Sequence, residues 1–220
     1  MTQGVLGSLI VGYGEVGKAL HILLKCPARD IKPERHDPRR VQYLHVCIPW
    51  MNDFHDIVLK YIRRYKPRLT IIHATVPPGT SRKLGACHVP IRGRAPLEVD
   101  IPRFRHYAGI LPGQREEVVK AMHPIKVRLA GPPELTELAK ILELERYGKG
   151  LEVARRQLAS CRRFKVDYKD AVTEWIRTYN DGMGARGDSE RFKMPTYVPP
   201  EGPIGGHCVV PGMKLARKTR

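Results

Sequence analysis

Six residues near the start of the chain have the types and spacing to do chemistry: Gly12, Tyr13, Gly14, Glu15, Val16 and Gly17. They follow Ser8–Tyr13, a short apolar run that reads as a buried strand. They open the pattern Glu15–Lys25, where Val16, Ala19, Leu20, Leu23 and Leu24 recur at helical spacing. Glycines at first, third and sixth place between a strand and a helix are what a dinucleotide pyrophosphate needs. Gly12 permits the tight turn. Gly14 lets phosphate approach the backbone at the positive end of the helix, and Gly17 lets the helix close on the strand. Asp30 ends a weak second strand near Ala28–Ile31 and is placed to bind the adenosine ribose. A carboxylate there repels a 2′-phosphate and favours NAD over NADP, although Arg29 and Lys32 flank it. The competing reading is a glycine turn that binds nothing.

Further chemistry lies downstream. His73-Ala74-Thr75-Val76-Pro77-Pro78-Gly79-Thr80 ends an apolar strand in a forced turn. Cys208 closes the segment Pro203-Ile204-Gly205-Gly206-His207-Cys208, whose glycines free the backbone to present a thiol. A thiolate is a strong nucleophile; an inert loop residue is the other reading. The remaining cysteines, at 26, 47, 87 and 161, are widely spaced and form no C-x-x-C pair, so neither a disulfide framework nor a zinc site is expected. The histidines show no metal-ligand spacing, and His45 and His73 read as satisfied core residues. Arg92 and Arg94 suit an anion clamp or a solvated loop. Tyr147, Tyr179, Tyr197 and Trp175 suit a cleft wall or a core.

Taken together, these segments resemble the UDP-glucose/GDP-mannose dehydrogenase family. The carrying residues are the glycine turn, the strand ending at Pro49, the stretch 73–80, Pro90-Ile91-Arg92-Gly93, Glu137-Leu138-Ala139-Lys140-Ile141-Leu142, and the loop ending at Cys208, all in family order. The resemblance implies oxidation of a nucleotide-sugar alcohol with NAD. It implies cofactor contacts at Ile48, Pro49 and Thr75, an oxyanion-stabilising Lys140, and a Cys208 that captures the aldehyde as a thiohemiacetal, later oxidised to a thioester. Arg92, Tyr147 and His207 then fall on the substrate side. Three positions depart from the pattern: Ile91 replaces the glutamate that handles water, Leu144 an asparagine and Gly212 an aspartate. The chain ends twelve residues after Cys208, so the family's C-terminal substrate domain has no counterpart in it.

The elements that must hold these residues alternate. Strands are expected at Tyr43–Ile48, Leu69–Val76, Ala86–Pro90 and Lys126–Ala130, and helices at Asp53–Tyr65, Thr80–Leu84, Glu116–Met122 and Asp170–Thr178. Pro96–Pro112 reads as irregular and Asp181–Asp188 as a flexible loop. This predicts an α/β fold: a doubly wound parallel Rossmann-type sheet, then a long helix from Glu134 to Lys165 and a short helical C-terminal segment. The expected domains are a NAD-binding domain at 1–131 and a segment at 132–220 carrying the dimer helix and the cysteine loop. Gly148 and Gly150 mark a kink or close packing in that helix.

With 42% hydrophobic and 28% charged residues among 220, fibrous and fully disordered classes are excluded. No apolar run reaches the ~18 residues of a membrane span, and a cytoplasmic location is expected. Lys and Arg outnumber Asp and Glu 39 to 22, a net +17. That means either a solvated basic surface or a polyanion site. The expected partners are a phosphorylated or nucleotide-linked small molecule and a second copy of the chain, with nucleic acid less favoured and no membrane. Two other functions remain: a dinucleotide-binding protein without turnover that uses its basic surface, and a two-electron hydroxy-acid dehydrogenase.

Overall fold

In a computed structural model, residues 6–30, 41–204 and 208–219 are described. They form two compact units, one running to Ile141 and the other from Leu142 to Lys218.

The first unit is built on one seven-stranded sheet in the order β2-β1-β3-β4-β5-β6-β7. The strands are β1 (Leu6–Val11), β2 (Ala28–Arg29), β3 (Val41–Val46), β4 (Leu69–Ile72), β5 (Cys87–His88), β6 (His106–Gly109) and β7 (Val127–Gly131). Side chains alternate between the faces, so each face carries its own apolar core. Ile10, Ile71 and Val89 bury against Leu20 of α1 (Glu15–Leu24) and Val118 and Met122 of α5 (Arg115–Met122). Leu9, Val11, Leu44 and Ile72 bury against Phe54 and Val58 of α2 (Phe54–Tyr65). Helices on both faces are the doubly wound arrangement. The strand order reverses beside β1, and in such sheets ligands bind at the carboxyl ends of the strands flanking that switch.

Three expectations are corrected. The stretch 96–112 is ordered: α4 (Leu97–Asp100) and a 3₁₀ turn lead into β6, which pairs antiparallel with β5, so the sheet is not wholly parallel. β4 stops at Ile72, leaving His73–Val76 as a loop. Helix α7 (Trp175–Ala185) runs through most of the stretch 181–188 expected to be flexible.

Short α3 (Thr80–Lys83) follows the Pro77-Pro78-Gly79 turn. The long helix α6 spans Pro133–Phe164, unbroken at Gly148 and Gly150. In the second unit, a π-helical turn precedes α7, then come α8 (Ser189–Phe192) and α9 (Val209–Lys218). Gly148 and Gly150 prove to be packing notches. A β-carbon at Gly148 would lie 2.2 Å from Met213 Sδ, and one at Gly150 would lie 2.2 Å from the Tyr197 ring. The Tyr168 hydroxyl donates to the Tyr197 carbonyl at 3.1 Å. Among the described residues, no helix is long and apolar enough to cross a membrane.

Candidate functional site

The glycine turn sits at the carboxyl end of β1. Gly12 has φ +94°, and a β-carbon there would lie 2.8 Å from the Cys47 carbonyl carbon and 2.9 Å from Ile48 N. Glycine is thus required twice, by dihedral and by contact. The contact brings the β1 turn against the Cys47-Ile48-Pro49 loop that leaves β3, where Ile48 is buried and Pro49 exposed. A β-carbon at Gly17 would sit 1.9 Å from the Gly12 carbonyl oxygen, so α1 can pack here only on glycine. Gly14 differs, because its β-carbon would meet nothing within 4 Å. Among the described residues the fold does not need glycine at 14, and its bare backbone leaves room for a phosphate at the first turn of α1. Tyr13, Gly14 and Glu15 are exposed and Val16 is half-buried.

Gly12 N–H donates to the Arg29 carbonyl at 2.8 Å, which sets Asp30 next to the turn, exposed. The flanking Arg29 side chain is buried and donates to the Tyr65 hydroxyl. Lys32 lies outside the described residues. These residues fit the pyrophosphate and ribose of a dinucleotide.

Thr75 is half-buried in the loop after β4. Two side chains clamp this loop to the first turns of α6. Glu137, fully buried, accepts the Gly79 N–H at 2.6 Å and the Ser81 N–H at 2.7 Å. Burial raises its carboxyl pKa, and those N–H bonds oppose the rise. His88 on β5 donates from Nε2 to the Ala74 carbonyl at 3.1 Å, leaving Nδ1 as the acceptor facing Thr136 Oγ1 at 2.9 Å. Thr136 and Glu137 lie four and three residues before Lys140, so all three share one face of α6. The start of α6 presses on the sheet at Gly109, where a β-carbon would lie 2.6 Å from Pro133 Cα.

Four buried histidines lie on or beside neighbouring strands: His45 on β3, His73 just past the end of β4, His88 on β5 and His106 on β6. His73 Nδ1 donates to the Val89 carbonyl at 2.7 Å, so its Nε2 accepts from His45 Nδ1 at 3.0 Å. The reading of His73 as a satisfied core residue agrees with this. That of His45 does not, because its buried Nε2 finds no hydrogen-bond partner among the described residues. Burial lowers the pKa of His73 to about 4 and of His88 to about 3, and holds His45 well below its ordinary value. Smaller contributions locate the nearby cations. Lys140 lowers both His88 and His106, and Arg92 also lowers His106. Lys140 thus lies within electrostatic reach of both His88 and His106, and Arg92 of His106. Ile91, between Pro90 and Arg92, is buried among Val89, Leu97 and Ile101.

In the second unit Cys208 is exposed at the start of α9, and its carbonyl accepts the Gly212 N–H at 2.9 Å. The other described thiols are buried or half-buried, and burial raises Cys26 to about 11 and lifts Cys47 and Cys87 as well. Two of the departures from the family pattern touch each other: a β-carbon at Gly212 would lie 2.7 Å from Leu144 Cβ. Where the family carries asparagine and aspartate, this chain has a close apolar contact that docks α9 on α6. Tyr147 is exposed and pairs with the Tyr197 ring at 6.1 Å. His207, with Gly205 and Gly206, lies outside the described residues. Among the described residues, no group of three or more His, Cys, Asp or Glu side chains could hold a metal ion.

Sequence reasoning missed His88 and the clamping role of Glu137, although Glu137 stood within the segment that carried the resemblance.

No protein-family model and no curated protein matches the chain in sequence. Solved structures share its fold. A UDP-D-ManNAc dehydrogenase from Pyrococcus horikoshii superposes with TM-score 0.70 at 15% identity, over 94% of this chain and 63% of that one. A UDP-glucose dehydrogenase from the hyperthermophilic archaeon Pyrobaculum islandicum gives 0.65 at 15%, over 99% and 64%. The 3-hydroxyisobutyrate dehydrogenase of Mycobacterium tuberculosis gives 0.65 at 12%, over 98% and 87%. The chain thus spans under two thirds of the two nucleotide-sugar enzymes and most of the hydroxy-acid enzyme. Its fold is the Rossmann-type dehydrogenase fold that these proteins share.

Proposed function

We propose that the chain is a NAD-dependent oxidoreductase that oxidises an alcohol carbon of an anionic substrate, a nucleotide sugar or a relative of one. The observation that carries this reading is the clamp by Glu137 and His88. It fixes the Thr75 loop against the face of α6 that bears Lys140, in the same unit as the glycine turn. The backbone at Gly12–Gly17 and α1 holds the pyrophosphate, Asp30 holds the ribose, and Ile48, Pro49 and Thr75 border the rest of the cofactor. Arg29 is turned inward onto Tyr65, which leaves the carboxylate at 30 as the exposed group and favours NAD. When bound, NAD supplies the hydride acceptor. Lys140 stabilises the negative charge that builds on the alcohol oxygen as its proton leaves for solvent, an effect commonly worth ~3–4 kcal/mol. Arg92 and Lys140 together select an acidic substrate. Cys208 captures the aldehyde product, with Tyr147 and His207 on the substrate side.

A second copy of the chain is the proposed partner. The apolar stripe of α6 divides in two: Ile141, Leu144 and Ala154 are buried, whereas Leu135, Leu138, Leu142 and Val153 stay exposed. The exposed set recurs at helical spacing and suits a like helix.

The test is a cofactor-reduction screen at the nicotinamide absorbance over nucleotide sugars and simple hydroxy acids. Reduction with a nucleotide sugar supports the reading; cofactor binding without turnover on any of them leaves a dinucleotide-binding protein. A second reading, two-electron oxidation of a small hydroxy acid, is favoured by the apolar Ile91, Leu144 and Gly212 and by the fuller match in length to the hydroxyisobutyrate enzyme. The same screen separates the two.

A further inference from the structure

We propose that a basic ridge formed by the C-terminal half of α6 and by α9 binds the phosphate backbone of a single-stranded nucleic acid. It is independent of the cofactor site.

Packing builds the ridge. Val209 and Met213 of α9 meet Gly148 of α6, and Gly212 meets Leu144, so the two helices are in close contact. Cations of both helices meet there, and those of α6 continue to its C-terminus. Residues 149–165 carry six Lys or Arg and one carboxylate, and α9 adds Lys214, Arg217 and Lys218 with no acid. All nine cations are exposed. Lys149 and Arg156 of α6 and Arg217 of α9 all act on that one carboxylate, Glu152, and Lys149 bonds it at 2.9 Å.

Some surface cations are paired with acids, as Arg82 is with Glu134, Arg177 with Glu174 and Asp181, and Arg186 with Asp188. In the ridge, Arg155, Arg156, Arg162, Arg163 and Arg217 have no carboxylate within salt-bridge distance among the described residues. Like charges held this close repel, and a polyanion relieves that repulsion while releasing its own counterions.

Exposed aromatic rings choose the kind of polyanion. Phe164 ends α6 with 70% of its surface exposed and the Arg163 guanidinium 5.6 Å from its ring centre. Trp175, at the start of α7 in the same unit, is 76% exposed. An arginine beside an open aromatic face suits a single strand, whose unpaired bases stack on rings while its phosphates meet arginines.

The experiment is fluorescence anisotropy of a labelled oligothymidylate against the full chain over a range of salt. A duplex of equal length and phosphatidylglycerol–phosphatidylcholine vesicles run alongside. We expect the oligonucleotide to bind, with log affinity falling linearly in log salt. Joint Arg156→Glu, Arg163→Glu and Arg217→Glu should weaken binding at least about tenfold and lower the salt slope by about 2, at ~0.7 per phosphate. The same three arginines changed to Gln guard against misfolding and should lower the slope alike. Phe164→Ala with Trp175→Ala should weaken single-strand binding about tenfold and leave the slope alone. An unchanged slope in both triple variants overturns the proposal. So does equal affinity for the duplex, or tight vesicle binding with weak oligonucleotide binding.

Discussion

The carboxylate of Glu137 accepts the amide of Gly79 at 2.6 Å, and its second oxygen accepts that of Ser81 at 2.7 Å. One side chain on α6 thereby finishes the turn after β4 and caps α3, tying the loop after β4 to the helix that bears Lys140. Glu137→Ala should cost about 2–3 kcal/mol, since unpaired buried N–H groups are expensive. Glu137→Gln keeps the volume and should cost less. Urea unfolding of the three proteins checks this, and an alanine variant as stable as the parent would show that the clamp holds nothing.

The glycine turn separates folding from binding. Gly17→Ala forces a β-carbon to within 1.9 Å of the Gly12 carbonyl oxygen and should lower the melting temperature sharply. Gly14→Ala meets nothing within 4 Å and should melt like the parent, yet lose NADH binding because its methyl occupies the space of the pyrophosphate. Thermal melts and calorimetry with NADH and NADPH read both. Gly14→Ala binding NADH as the parent does would remove the turn from the cofactor site, and tighter NADPH than NADH would remove the role of Asp30.

The periodic elements were legible in the sequence because their residues obey local rules. Leu9, Ile10 and Val11 alternate faces, and α1, α2 and α6 show apolar positions at helical spacing. β6 escaped because His106-Tyr107-Ala108-Gly109 offers no apolar alternation and pairs through its backbone in a stretch rich in Pro and Arg. β4 was overextended because Val76 is fully buried, as a strand residue would be, though it lies in a loop. The stretch 181–188 was misread because Gly182 and Gly184 look like breakers; in an exposed helix they touch nothing and are tolerated. At the candidate site, the glycine turn announces itself within six residues. The clamps do not: Glu137 meets Gly79 across 58 residues and His88 meets Thr136 across 48, separations that only the fold closes.

Acid should unfold this protein steeply. His73 and His88 are buried neutral, with pKa values lowered to about 4 and about 3. Unfolded, each titrates near the ordinary value of 6.5. Between these limits the unfolded chain binds protons that the native chain does not, so stability rises with pH and is lost as pH falls below about 6.5. Each histidine contributes a slope of about 1.4 kcal/mol per pH unit. Urea midpoints measured from neutral pH to about pH 4 check the sum, and a flat profile would mean that the histidines open to solvent.

The exposed residues Leu135, Leu138 and Leu142 lie at i, i+3 and i+7 on α6. Covering such a stripe is favourable at roughly 25 cal/mol per Å². Sedimentation velocity at micromolar concentration should show a dimer, and Leu138→Glu with Leu142→Glu should convert it to monomer. A parent protein that sediments as a monomer refutes the proposed pairing.

With its true substrate, the protein should complete both hydride transfers and stall at the thioester, before carboxylate release. Hydrolysis of a thioester on Cys208 needs a group that positions and deprotonates water. Ile91 cannot do this, being buried among apolar neighbours, and Leu144 packs on Gly212 where the family pattern has two polar side chains. The expected record is a burst of reduced cofactor followed by a slow phase, with a covalent adduct on Cys208 in the intact mass. Cys208→Ser should abolish the adduct, because the hydroxyl is a far weaker nucleophile than the thiolate. Lys140→Ala should slow the burst by about 100- to 1,000-fold, the usual worth of a cation at a developing oxyanion. If Cys208→Ser leaves steady-state turnover intact while Lys140→Ala abolishes it, the chemistry ends at two electrons, and the chain works as a simple alcohol dehydrogenase on the same fold.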